Sequence, residues 1–103
     1  MTQKQQTIVA KVTFSGRGLH TGKFANVAIK PAPENHGVLF QRVDLPEKPI
    51  VRAHVDNVAD TSRSTNLREN GVDVKTVEHI LSVCAGMGID NVLIEIDNEE
   101  VPI

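Results

Sequence analysis

The stretch that decides the fold is TVEHILSVCAGMGIDNVLIEID, residues 76–97. Its first half predicts a helix over Thr76–Met87, because apolar residues recur there at helical spacing. The face of that helix that would pack on the rest of the protein consists of Val77, Ile80, Leu81, Cys84 and Met87. Thr76 is the expected N-cap, and the glycines at 86 and 88 favour an end near Met87. Residues 91–97 predict a short, largely apolar strand.

Further strands are predicted on the N-terminal side of this helix. Alternating residues predict a half-buried strand over 8–15, whose apolar face carries Ile8, Ala10, Val12 and Phe14. Other strands are expected at 24–30, 38–43 and near 50–55. Asn70-Gly71 is a strong hairpin signal and would join Thr65–Arg68 to Val72–Val74. We therefore expect an α+β fold, a two-layer sandwich with a mainly antiparallel sheet and the helix packed on one face.

The composition excludes several classes of partner. The formal net charge of -2 provides no basic field for nucleic acid, and three Phe with no Tyr or Trp argue against base stacking. The longest apolar runs fall well short of the ~18 residues of a transmembrane helix. The N-terminus does not resemble a signal peptide. A single cysteine, Cys84, cannot form an internal disulfide, which fits a cytoplasmic protein.

The residues most suited to chemistry are Glu78 and His79, in the first turn of the predicted helix. Both are expected to point away from its packing face, towards solvent or a second domain. An ordinary reading is available, because a glutamate at that place stabilises the helix dipole. Pattern alone favours that ordinary reading over a functional one.

The histidine spacing gives no complete metal site within the chain. Histidines occur at 20, 36, 54 and 79, without the paired spacing of zinc motifs. Catalytic zinc needs three protein ligands, and Cys84 lies on the predicted packing face. A closed structural zinc site is therefore disfavoured.

Two loops have both an ordinary and a functional interpretation. Residues 16–22 contain three glycines, which indicate a turn between strands or a backbone that a ligand approaches closely, with His20 at its tip. The polar residues 60–65 are typical of a solvated loop that caps its own backbone. Arg42 and Arg63 are interpreted as surface charges, with contact to a phosphate as the alternative for Arg63.

Four short segments are more informative together, in this order, than each is alone. They are GLHTG at 18–22, PAP at 31–33, TVEH at 76–79 and GIDN at 88–91, followed by Glu95. Together they resemble the N-terminal domain of the UDP-3-O-acyl-N-acetylglucosamine deacetylases, over about residues 7–103. That family carries out the committed step of lipid A biosynthesis. The resemblance implies a ribosomal protein S5 domain 2-like fold, with 1–103 as an N-terminal domain truncated at its C-terminal end and the second domain absent.

The resemblance also implies site residues. His79 matches a ligand of the Zn²⁺ cofactor, which a histidine and an aspartate of the second domain would complete. Glu78 matches the general base that activates water for attack on the acetyl group of a UDP-linked acylated amino sugar. Leu19 and His20 match the substrate loop, and Ser64 and Thr65 lie where the family lines the entrance to the metal.

These implications lead to two competing expectations. In the first, the chain is one part of a zinc-dependent amide hydrolase, and is inactive alone because two metal ligands, a general-acid histidine and a further helix are missing. In the second, it is a non-catalytic α+β binding or interaction module with Glu78 and His79 as ordinary helix-start residues. A downstream H-x-x-x-D pair in a second domain would separate the two.

Overall fold

A computed structural model of the chain describes residues 4–59 and 64–102. Within those ranges it contains seven strands, a short 3-10 helix at Val55–Asn57 and one α-helix, α1, at Glu78–Gly86. The strands are β1 Val12–Arg17, β2 Phe24–Pro31, β3 Val38–Arg42, β4 Ile50–Arg52, β5 Leu67–Glu69, β6 Val72–Val74 and β7 Val92–Ile96. The described α1 is not long and apolar enough to cross a membrane.

Five strands form one sheet in the order β1-β2-β7-β3-β4, and β5 and β6 form a separate hairpin. All neighbours are antiparallel except β3 and β7, which run parallel. β7 therefore lies at the centre of the sheet although it comes last in the chain. The mixed, mainly antiparallel sheet with a helix confirms the predicted α+β fold.

The core lies between one face of this sheet and α1. The register places Ile94 beside Phe40 on one side and Ile29 on the other, so their side chains share a face. α1 contributes Val77 at its N-cap, Ile80 and Cys84 to the same cluster. Each large apolar side chain that is fully buried contributes about 1.5–3 kcal/mol, so this apolar cluster holds α1 on the sheet.

The N-terminal strand differs from its prediction. It begins at Val12 rather than at residue 8 and continues to Arg17. Its expected half-buried face is largely open, since Val12 is 51% and Phe14 37% exposed. The reason is that β1 is an edge strand, and the nine-residue α1 leaves this side of the sheet face uncovered. The predicted hairpin at Asn70-Gly71 is confirmed.

The two ends of the helix also differ from their prediction. Thr76 is not the N-cap: its φ of 60° is left-handed, and the N-cap is Val77, which makes no side-chain capping bond. The helix ends at Gly86, so Met87 lies outside it and is 66% exposed instead of packed. The difference at the start reflects hydrogen bonds from Asn66 and Thr65, which helical spacing cannot show.

Arg42 was expected at the surface but is 7% exposed. Its guanidinium forms a fork on Asp44, at 2.9 and 2.7 Å, and donates to the Asp73 carbonyl at 2.8 Å. These bonds explain how a charge is accommodated beside the core. Arg63, the other arginine interpreted as a surface charge, lies outside the described residues.

Candidate active site

The start of α1 is capped by a distant segment, residues 64–66. The Val77 N–H donates to the Thr65 carbonyl at 3.0 Å, and the Thr76 N–H donates to Asn66 Oδ1 at 3.0 Å. These bonds satisfy backbone donors that a helix start leaves without intrahelical partners. The capping segment therefore sets the position of Glu78 and His79, the first two residues of the helix.

Glu78 is half-buried and turned towards the capping segment. The Thr65 N–H donates a long hydrogen bond of 3.4 Å to its Oε2. Its Oε1 is buried and has no hydrogen-bond partner within the described ranges. Glu78 was expected to point away from the packing face, towards solvent or a second domain; it is half-buried beside Thr65, and one of its oxygens is not exposed to solvent. Buried polar atoms are nearly always paired, and an unfilled acceptor suits a group that takes up a proton or faces a bound species.

His79 is exposed, as its position on the helix predicts. Its ring lines a groove of about 310 Å³ whose walls are apolar and include Phe14, Ile29, Ile80, Val83 and Pro102. An exposed imidazole at the rim of such a groove is free to act as a ligand. In the parts of the chain that the structure describes, no group of three or more His, Cys, Asp or Glu side chains could hold a metal ion.

The glycine-containing loop at 18–22 is the turn between β1 and β2. The Gly18 N–H donates to the Lys23 carbonyl at 2.9 Å, and the Gly22 N–H to the Gly18 carbonyl at 3.0 Å. Gly22 has a φ of 70°, a left-handed conformation that glycine adopts at little cost. Leu19, 67% exposed, and His20 are presented outward at the tip.

The fold brings part of the expected substrate-binding set together. His20 and Ser64 line one cavity of about 400 Å³, together with Asn66, Lys75, Thr76 and Glu100. Thr65 is joined to Glu78 by the long hydrogen bond already described. Thr76, the residue before the N-cap Val77, lines both this cavity and the groove beside His79, so the two concavities are adjacent there.

Sequence reasoning missed Glu100, which is 1% exposed. Burial by itself raises the pKa of its carboxyl, but hydrogen bonds outweigh that effect. They come from the Thr76 hydroxyl, from the amide and hydroxyl of Thr21 and from the His20 amide, and they lower the pKa to about 2. No periodic signal could have indicated Glu100, because β7 ends at Ile96 and the bend at 97–99 interrupts the alternation before residue 100.

These features define a class of protein: an α+β domain that presents a glutamate–histidine pair at the start of a helix, beside a glycine-containing loop. The family model described as "UDP-3-O-acyl N-acetylglycosamine deacetylase" matches residues 5–103. The chain belongs to this family.

Several curated relatives share close to half of their aligned residues with the chain. They include a bifunctional enzyme LpxC/FabZ of Bacteroides thetaiotaomicron, 47% identical over 97% of the chain and 22% of the relative. UDP-3-O-acyl-N-acetylglucosamine deacetylases of Teredinibacter turnerae and Ruthia magnifica are 45% and 48% identical, over 97% of the chain and 33% of each relative. The chain thus spans a third or less of the length of these relatives.

Proposed function

We propose that this chain is part of a zinc-dependent hydrolase that removes the N-acetyl group from UDP-3-O-acyl-N-acetylglucosamine in lipid A biosynthesis. Membership of the deacetylase family supports the reaction class and the substrate. The observation that carries the proposal to particular residues is the pairing of an exposed His79 with a Glu78 oxygen that is buried and lacks a partner in the described chain.

The chain offers one side chain, His79, that is suited to be a ligand of a zinc site. Imidazole nitrogen is a common zinc ligand, and a catalytic site uses three protein ligands with one open position. His79 would supply one ligand, and the other two would come from the part of the protein beyond this chain. When bound, Zn²⁺ would polarise the acetyl carbonyl and make a water molecule more acidic.

Glu78 is proposed to accept the proton of that attacking water. The Thr65 N–H makes only a long hydrogen bond to Oε2 and Oε1 has no partner within the described ranges, so the carboxylate keeps acceptor capacity for this proton. The water oxygen would form a bond to the acetyl carbon while Glu78 holds the water proton. The C–N bond would break as the departing amine takes up a proton from the general-acid histidine expected beyond this chain. The products are acetate and a free amino sugar, and the chemistry needs no oxidant or reductant.

The remaining predicted residues are proposed to contact substrate rather than to react. Leu19 and His20 lie on the outward tip of the 18–22 loop, and Ser64 lines the same cavity as His20. Thr65 would act from its place beside Glu78, to which its N–H donates. We keep the cytoplasm as the proposed location, supported by the single buried thiol of Cys84. The 103-residue chain alone is proposed to be inactive, because it offers one metal ligand of three.

The test uses a protein that carries this chain together with the remaining length found in its relatives. We expect His79→Ala to remove most bound zinc, and Glu78→Gln to retain zinc while kcat falls by about 10²–10⁴-fold. The matched controls are His54→Ala and Glu34→Gln, since both side chains are exposed and lie in other loops. Zinc content and deacetylation of UDP-3-O-acyl-N-acetylglucosamine are measured for each variant. A Glu78→Gln protein with near wild-type turnover would refute the role of the base.

A further inference from the structure

Glu100 is a buried carboxylate that the proposed reaction does not use. It accepts hydrogen bonds from two separate parts of the chain. The Thr76 hydroxyl donates to Oε2 at 2.7 Å, and the Thr21 N–H donates to Oε1 at 2.7 Å. The His20 N–H lies 3.1 and 3.2 Å from the two oxygens. One carboxylate therefore joins the 18–22 loop to the residue that precedes Val77 and α1.

The Thr76 end of this connection holds a costly backbone conformation. A β-branched residue at a φ of 60° is in the left-handed region, where its side chain meets the backbone sterically and the conformation is unfavourable. Asn66 holds its N–H and Glu100 holds its hydroxyl, so both contacts maintain the conformation. Because Thr76 lies two residues before Glu78, its backbone sets the direction in which the chain enters the helix.

At the other end of this connection, the backbone of the 18–22 loop is packed closely against the Glu100 carboxylate. Gly18 is buried, and the space that a Cβ atom would need there is already filled by the Glu100 carboxylate and the Thr21 hydroxyl. The carboxylate therefore lies directly against the loop backbone. A neutral side chain could fill the same volume, but ionised acceptors make shorter and stronger hydrogen bonds than neutral ones. Burying a charge here has a desolvation cost, which only its bonds to the two segments offset.

We propose that Glu100 is a positioning residue: it holds the His20 loop and the start of α1 as one rigid unit, so that the substrate loop keeps a fixed place relative to Glu78 and His79. Its side chain is 1% exposed although it borders the cavity that His20 lines, and it acts through its hydrogen bonds with Thr76 and the amides of His20 and Thr21. This inference rests on the proposed function for its catalytic consequence, and on the hydrogen bonds alone for the coupling between loop and helix.

The experiment compares variants in the same zinc-loaded protein, which carries the full length found in the relatives. Glu100→Gln keeps the shape of the side chain and removes its charge, while Thr76→Val removes the hydroxyl and keeps the volume. Both are expected to lower kcat/KM for UDP-3-O-acyl-N-acetylglucosamine by about 10–100-fold while bound zinc stays at the wild-type ratio, because small misplacements of reacting groups are costly. Thr76→Ser, which restores the hydroxyl, is expected to recover most of the loss. Glu99→Gln is the control, since that neighbour pairs with Lys23 and Lys75 instead.

Amide hydrogen exchange tests the coupling without using activity. Thr76→Val leaves every bond between Glu100 and the 18–22 loop in place. Because Glu100 would lose its bond to residue 76, we nevertheless expect faster exchange at the His20 and Thr21 amides. The double variant Glu100→Gln/Thr76→Val should lose no more kcat/KM than the worse single variant, because both remove the same connection. A variant that merely unfolds would lose zinc and exchange amides throughout the sheet, so unfolding is recognised separately.

The outcomes separate this inference from the proposed function. A wild-type protein that does not deacetylate the substrate would refute the proposed function, and with it the catalytic consequence, whereas the exchange measurement still decides the coupling. Unchanged loop amides in Thr76→Val would overturn the coupling. An active wild-type protein whose Glu100→Gln variant keeps kcat/KM within about twofold, too small for a lost hydrogen bond to a charged group, would overturn the positioning role.

Discussion

The backbone of Gly18 lies so close to the Glu100 carboxylate that no side chain fits between them. A Cβ atom at residue 18 would overlap the Glu100 carboxyl group, with the Thr21 hydroxyl 2.8 Å away on another side. This contact joins residues that are far apart in the sequence, and it explains why a glycine stands at this place in the loop. It also gives the first of four predictions.

Gly18→Ala is expected to destabilise the protein by about 1–3 kcal/mol, because the added methyl group displaces a carboxylate that is fixed by several hydrogen bonds. The matched control is Gly86→Ala, where the added atom meets nothing within 4 Å and alanine favours the helix. Denaturant unfolding of both variants measures the difference. Equal midpoints for the two variants would show that the carboxylate moves aside at little cost.

The low pKa of Glu100 predicts a loss of stability in acid. Its folded-state pKa of about 2 lies below the ordinary value of 4.5, so the ionised form is favoured by folding. The resulting stabilisation is fully present above pH 4.5 and is lost as the pH falls from there towards 2.

The measurement compares the unfolding midpoints of the wild type and Glu100→Gln between pH 6 and pH 2.5. We expect the wild type to be more stable at pH 6 and this advantage to shrink below pH 4.5. The charged and titratable neighbours in the same cavity are present in both proteins, so the difference between the curves reports Glu100; they are His20, Arg68, Asp73 and Lys75. A difference that stays constant down to pH 2.5 would contradict the assignment.

Substitutions at Val77 and Val83 allow the stability contributed by core packing to be compared with that contributed by helix propensity. Val77 is fully buried against the sheet, whereas Val83 is 58% exposed. Val77→Ala should lower the free energy of unfolding by about 1–3 kcal/mol because it leaves a cavity. Val83→Ala should change it by less than about 0.7 kcal/mol, since alanine is the better helix former. Thermal unfolding measures both, and a larger loss at Val83 would mean that the outer face of α1 is covered.

Arg42 and Arg52 provide a similar comparison for ion pairs. Arg42 is buried, and its hydrogen bond to Asp44 keeps the pKa of that carboxyl below the usual value, although burial opposes the shift. Arg42→Gln should cost about 1–3 kcal/mol, because the Asp73 carbonyl and Asp44 lose a charged donor. Arg52 pairs with Glu69 at 3.3 Å with a largely exposed side chain, so Arg52→Gln should cost about 1 kcal/mol or less. Equal losses in urea unfolding would refute this ranking.

The sequence alone determined the elements whose signals are local. Asn70-Gly71 adopts left-handed φ values of 52° and 76° at the predicted hairpin, and the helical spacing of Val77, Ile80 and Cys84 placed them in the core. The hairpin and the core face of the helix both depend on residues close together in the chain, so residue type and hydrophobic period were enough to predict them. The family segments likewise indicated Glu78 and His79, although pattern alone did not favour a function for them.

Only the tertiary structure decided how that pair is held. Capping of α1 by Thr65 and Asn66, the left-handed Thr76 and the buried Glu100 all depend on segments 10 to 80 residues apart. The same is true of Arg42, whose burial depends on Asp73, and of Phe14, which is partly exposed on an edge strand. Hydrogen bonds between distant segments leave no period in the sequence. The helix could therefore be predicted from the chain, but the fixed orientation of its first turn could not.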